Sequence, residues 1–77
     1  MAATIRFWAG ARRAAGHAEE STQAPTLGIL RGELAARPSL AHVVAVATFL
    51  VNGQAAGDDT PLPPEATVDV LPPFAGG

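Results

Sequence analysis

Neither cysteine nor lysine occurs anywhere in this 77-residue sequence. Without cysteine there can be no disulfide and no thiolate metal site, so any sulfur chemistry must use sulfur from outside the chain. Without lysine there is no ε-amine for isopeptide bonds or Schiff bases. Positive charge rests on five arginines against seven acids, a net charge of −2. That leaves no basic stripe to displace counterions from nucleic acid and none to hold an anionic membrane surface. Long apolar runs are missing too. The longest, Val43 to Val51, is interrupted by Thr48 and is too short to span a bilayer. Met1-Ala2-Ala3-Thr4-Ile5-Arg6 lacks the basic-then-apolar form of a signal peptide. The expectation is a soluble, cytoplasmic protein with no nucleic-acid or membrane partner.

What is present suits one small domain. Apolar residues make up 48% of the chain, enough to fold rather than stay disordered. A chain of this length buries only roughly 60–65% of the surface it exposes when unfolded, so the core is limited.

Thr4 to Ala9 alternates, with Ile5, Phe7 and Ala9 on one face and Thr4, Arg6 and Trp8 on the other, which predicts a first strand. Trp8 is then either covered by a loop or left as a surface aromatic. Gly10 to Gly16, Ala- and Arg-rich and bracketed by glycines, reads as a loop that includes one helical turn. Ala18 to Ala24 could form an edge strand pairing with the first. Thr26 is the expected N-cap of the main helix, whose apolar stripe is Leu27, Leu30 and Leu34. Arg37 is placed in its last turn, and Pro38 ends it. Val43 to Val51 is read as a strand buried on both faces, followed by an Asn52-Gly53 hairpin turn and a short return over Gln54-Ala55-Ala56. Gly57 to Pro61 is turn chemistry, Leu62 a lone core plug, and Pro63-Pro64-Glu65-Ala66 a rigid connector. Thr67 to Leu71 is the last strand, placed centrally beside the first, with Val68 and Val70 on one face. The class is α+β: a small mixed sheet covered by one main helix.

The usual catalytic constellations are missing from the sequence. His17 reads as a loop residue and His42 as a capping or surface histidine; neither has a second metal ligand at useful spacing. Asp58-Asp59 reads as a solvated turn. Ser21 and Ser39 have no neighbouring histidine or glycine elbow. Gly10 and Gly16 match no phosphate loop, and Arg12-Arg13 reads as a solvated face. The unusual feature is the end of the chain. Pro72 and Pro73 fix φ and remove two donors, so the strand ladder stops and no helix begins. Phe74, Ala75, Gly76 and Gly77 follow, ending slender with a carboxylate at the tip. Extended, those six residues could carry the carboxylate roughly 20 Å from the body. Such a tail fits insertion into another protein's active site; a passive terminus fits it as well.

The sequence resembles the MoaD/ThiS-type sulfur carriers, a family with the ubiquitin-like β-grasp fold, and most of all their molybdopterin-synthase branch. The resemblance spans essentially the whole chain. It rests on Arg6-Phe7-Trp8-Ala9 leading to Arg12 and Gly16, and on Thr26-Leu27-Gly28 with Leu30 and Leu34. It continues through Val51-Asn52-Gly53-Gln54, Asp59-Thr60-Pro61-Leu62, and Val68-Asp69-Val70-Leu71-Pro72-Pro73-Phe74-Ala75-Gly76-Gly77. The Pro-Pro before a terminal Ala-Gly-Gly is its most specific part. Pro64-Glu65-Ala66 departs from the family, which usually has Gly-Asp or Gly-Glu before the last strand.

The resemblance implies a β-grasp domain over residues 1–71 and an extended tail over 72–77. It implies a chain that is not catalytic alone and binds no cofactor. An E1-like adenylating enzyme would use ATP to convert the Gly77 carboxylate into an acyl-adenylate. A sulfur donor would then displace AMP and leave a thiocarboxylate. The synthase large subunit, in a heterotetramer, would receive it to build molybdopterin. Gly76 and Gly77 would fit a narrow tunnel where a Cβ would clash, while Pro72 and Pro73 lower the cost of ordering the tail. Phe74 would anchor at the tunnel mouth or pack back on its own sheet. Other readings are a carrier for thiazole or cysteine synthesis, a ubiquitin-like protein modifier, and a β-grasp interaction module with a passive tail.

Overall fold

The structure is a computed structural model and describes residues 2–73. Five strands form one mixed sheet: β1 (Ala3–Phe7), β2 (Glu19–Thr22), β3 (Thr48–Val51), β4 (Gln54–Ala55) and β5 (Thr67–Leu71). Their spatial order is β2-β1-β5-β3-β4. The last strand is therefore the middle one, beside the first, as the long connection before it predicts. It runs parallel to β1, with Phe7 opposite Val70, and antiparallel to β3, with Thr48 opposite Leu71.

The period-two pattern decides which face is covered. Ala3, Ile5, Phe7, Phe49, Val51, Val68 and Val70 are all buried on one side. Against them packs α2 (Leu27–Ala35), whose Leu27, Leu30 and Leu34 are each at most 2% exposed. Thr26 does cap this helix: its hydroxyl accepts a hydrogen bond from the Ile29 N–H at 3.3 Å. Leu62 enters the same core, filling the place expected of it. Asn52 and Gly53 both have positive φ, +51° and +81°, which matches the twist of a two-residue hairpin. The edge strand β2 also forms, antiparallel to β1.

Three expectations fail. Val43–Val51 is not one strand: α3 (Ala41–Val46) takes its first half and only Thr48–Val51 is extended. The β-branched run favours a strand locally, but Leu40 and Val44, four residues apart, lie on one helical stripe and are both buried. Tertiary packing of that stripe overrides the propensity. The first strand stops at Phe7 rather than Ala9, and Ala9–Ala15 forms a two-turn helix, α1, where a loop with one helical turn is expected. Ala11 is fully buried within it, and Gly16 ends it in the left-handed conformation at φ +88°. Arg37 lies beyond the end of α2, not in its last turn, and its guanidinium donates to Glu20 at 2.7 Å. The single expected helix is thus three.

Candidate functional site

The site is the end of the sheet from which the tail departs. Up to Val70, strand β5 is held on both sides by backbone ladders, and Leu71 is still paired with Thr48 of β3; the Trp8 N–H donates to the Val70 carbonyl at 3.2 Å. Pro72 is half-buried and Pro73 exposed. Neither has an N–H, so neither β1 nor β3 can draw the chain further into the sheet. The sequence thereby fixes where the tail leaves, and from which strand. Phe74, Ala75, Gly76 and Gly77, also expected in the site, lie outside the described residues.

On the face of the sheet opposite the helices, one cluster stands beside this exit. Asp69 is the residue of β5 that points there, and it is only 5% exposed. Its register partners are Arg6 on β1 and Leu50 on β3. Arg6 grips it with a two-pronged contact, Nε to Oδ1 at 2.7 Å and Nη2 to Oδ2 at 3.0 Å. The Trp8 indole N–H donates to Oδ1 at 2.9 Å, and the Arg6 guanidinium carbon lies 5.5 Å from the Trp8 ring centre. The Arg6 hydrogen bonds hold the Asp69 carboxyl below the usual carboxylate range; burial pushes the other way, and the Trp8 N–H adds to the lowering. Trp8 itself remains 45% exposed. Of the alternatives left by the sequence, it is the surface aromatic. The sequence reading does not include Asp69 among the site residues; its signal is a carboxylate flanked by Val68 and Val70 in the middle of the last strand.

Immediately after Trp8, Ala9 adopts φ +48°, a left-handed conformation that costs a non-glycine residue roughly 1–2 kcal/mol. This turn swings the chain off the open face and into α1. Arg12 and Arg13 follow on that helix, exposed, with no carboxylate partner among the described residues. Val46, 61% exposed at the end of α3, belongs to the segment that enters β3 opposite Leu71.

The remaining candidates disperse. His17 is exposed and contacts Glu20 at 2.6 Å on the helix side of the sheet. His42 is exposed on α3. Asp58 and Asp59 are exposed in their turn, and Asp58 pairs with Arg31 at 3.1 Å. Among the described residues no three His, Cys, Asp or Glu side chains converge as a metal site. None of their helices is long and apolar enough to cross a membrane. Two surface grooves, one lined by Thr22, Pro25 and Pro64 and one by Asn52, Pro61 and Pro63, lie at the far end of the sheet from the tail.

A sequence-family model, the ThiS family, matches residues 5–77. No curated protein matches the chain. Solved structures share its fold. SAMP1 from Haloferax volcanii superposes with a TM-score of 0.81 at 21% identity, over 100% of both chains. The small archaeal modifier protein 1 of Methanosarcina acetivorans gives 0.81 at 22%, over 97% of this chain and 95% of that one. A chain in the complex of subunits 1 and 2 of the molybdopterin-converting factor from Helicobacter pylori gives 0.79 at 24%, over 100% of both. At these identities the likeness is one of fold, and that fold is the ubiquitin-like β-grasp.

Proposed function

Because the chain belongs to the ThiS family, we propose that it is a sulfur carrier whose working group is the carboxylate of Gly77. The observation that carries this reading is the exit geometry. A central strand pinned on both edges gives way, at Pro72-Pro73, to a tail without donors at its base and with two glycines at its end. The body contributes a rigid handle and the tail contributes reach. An ionised carboxylate is a poor electrophile, since its α-carboxyl pKa is about 3.3–3.7. An adenylating enzyme must therefore first join it to AMP, expelling pyrophosphate from ATP. A sulfide-level donor then attacks the acyl carbon, AMP leaves, and one carboxylate oxygen has become sulfur. With no cysteine in the sequence, that sulfur has to arrive from another molecule.

The acceptor favoured here is the synthase that builds molybdopterin. Pro72-Pro73 followed by Ala75-Gly76-Gly77 supports it, as does the common fold with a chain found in complex with the second subunit of a molybdopterin-converting factor. The large subunit of that synthase is then the partner that accepts the tail. A second reading, a ubiquitin-like modifier joined through Gly77 to lysines of other proteins, is favoured by the common fold with the archaeal modifier proteins.

Intact-mass spectrometry after incubation with the adenylating enzyme, ATP and a sulfur donor is the test. The carrier reading expects one oxygen exchanged for sulfur, located at Gly77 by fragmentation, and lost when Gly77 is deleted. An unchanged mass despite adenylation, together with lysine-linked adducts in cells, would replace it with the modifier reading.

A further inference from the structure

The turn between β3 and β4 is tied to the rest of the sheet through one residue. Asn52 donates its N–H to the Thr67 carbonyl at 2.8 Å, and its Oδ1 accepts the Thr67 N–H at 3.0 Å. The pair clamps the turn to the first residue of β5. Asn52 is also followed by Gly53, which has no side chain to hinder attack on the neighbouring amide. We propose that Asn52-Gly53 is a self-modification site gated by this clamp. The asparagine deamidates through a cyclic imide only when the turn lets go of β5, and its isoaspartyl product keeps the turn from closing again. The site is independent of what Gly77 does.

In the step itself, the Gly53 nitrogen gives its proton to a solvent base and bonds to Asn52 Cγ. The Cγ–Nδ2 bond breaks, and the nitrogen takes a proton from water and leaves as ammonia. Water then opens the five-membered imide. Cleavage between Gly53 N and Cγ gives an aspartyl residue; cleavage at the main-chain carbonyl carbon gives isoaspartate, whose main chain runs through Cβ and Cγ. Much of what this needs stands ready in the folded chain. Asn52, Gly53 and Gln54 are exposed, the Gly53 N–H donates to no backbone carbonyl among the described residues, and the space beside its Cα is open. Two features withhold the reaction. Positive φ at both central residues, +51° and +81°, marks the mirrored turn, in which the first central residue has ψ near about +30°. That ψ sets the Gly53 nitrogen nearly trans to Asn52 Cβ about the Cα–C bond, whereas a five-membered ring needs the two eclipsed. The Thr67 N–H meanwhile holds Oδ1, and with it Cγ, towards β5. Reaction therefore waits for an opening. The short β4 makes that opening local, since it is paired to β3 through Leu50–Ala55 and Val51–Gln54 alone. Isoaspartate adds a carbon to the main chain of a two-residue turn, so the register of β4 and the Thr67 clamp are both lost.

Asn52 is the sole asparagine, so fragmentation mass spectrometry reads the exchange of its amide for an acid without background, and an isoaspartyl methyltransferase counts the isoaspartate. The full chain is aged at mildly alkaline pH, folded and, separately, unfolded in guanidinium chloride. Hydrogen exchange of the Thr67 amide is followed in the folded sample. Folding should slow deamidation at least about tenfold, and by the factor that protects the Thr67 amide, since one opening governs both. Equal rates in the folded and unfolded chains overturn the gate. A slowing that departs from the Thr67 protection by more than about tenfold overturns the clamp as its cause. The isolated isoaspartyl chain should melt below the wild type, whereas Asn52→Asp, which keeps an acceptor for the Thr67 N–H, should melt close to it. An isoaspartyl chain as stable as the wild type, with its Thr67 amide still protected, overturns the claim that the product holds the turn open.

Discussion

At the scale of single residues, the two carboxylates that the fold holds most tightly also set its response to acid. Asp69 is held below the ordinary carboxylate range by Arg6, against its burial, with help from Trp8. Burial pushes Glu20 up, but hydrogen bonds from His17 and Arg37 outweigh it and leave it low as well. A carboxyl with a lower pKa folded than unfolded binds fewer protons in the folded state. Its stabilisation is therefore complete above the unfolded value, about 4, and drains away as pH falls through the folded one. Thermal unfolding followed from about pH 6 down to about pH 2 should show a steep loss in the wild type. In Asp69→Asn the loss should be shallower, with a residual slope from Glu20. Parallel curves for the two proteins would mean that Asp69 is not a linked group. The trio also explains why sequence reasoning left Trp8 with two fates. Alternation placed it on the open face, but nothing local announced that a carboxylate sixty-one positions away would tether it.

At the scale of elements, α2 was legible because each of its signals agreed: a capping threonine, a leucine stripe, a proline beyond the end. Helix α3 was not, because its signals conflict. Three valines ask for a strand, while Leu40 and Val44 ask for a helix, and only contact with α1 and α2 settles the matter. Helix α1 is obscured by Gly10 inside it and Gly16 just after it, although Gly16 at φ +88° is the usual stop for such a helix. The two glycines inside α2 looked alike in sequence, each a liability of about 1 kcal/mol relative to alanine. The structure separates them. A Cβ on Gly28 would stand 2.8 Å from the Asp58 Cβ and 3.1 Å from its carbonyl oxygen, at the point where the Gly28 N–H donates to that carbonyl. On Gly32 it would meet open space. Gly32→Ala should therefore raise stability by about 1 kcal/mol. Gly28→Ala should lower it by roughly 1–3 kcal/mol as the 57–61 turn is forced off the helix. Urea denaturation of the two variants decides the point, and a gain for both would show that the turn yields freely.

For the molecule as a whole, the missing residue types gain a meaning once the tail is in view. On the carrier reading, an acyl group activated at Gly77 would find neither a lysine amine nor a cysteine thiol on its own body or on a second copy. Incubation with the adenylating enzyme and ATP, without a sulfur donor, should therefore yield no side-chain-linked multimers of this chain on a denaturing gel. Engineering one exposed arginine, such as Arg13, to lysine is the informative control. Side-chain-linked ladders formed by the unaltered protein would contradict the argument.

Synthesis runs from the amino end, so β1 and β3 are made before the strand that joins them. Until residues 67–71 emerge, the two halves of the sheet have no common border, and the pairing that closes it spans sixty-three positions. The ribosome thus finishes the hand before it finishes the finger. A prematurely stopped chain lacks its keystone and its terminal glycines together, so on the carrier reading partners that grip the folded body would be spared unproductive encounters with blanks.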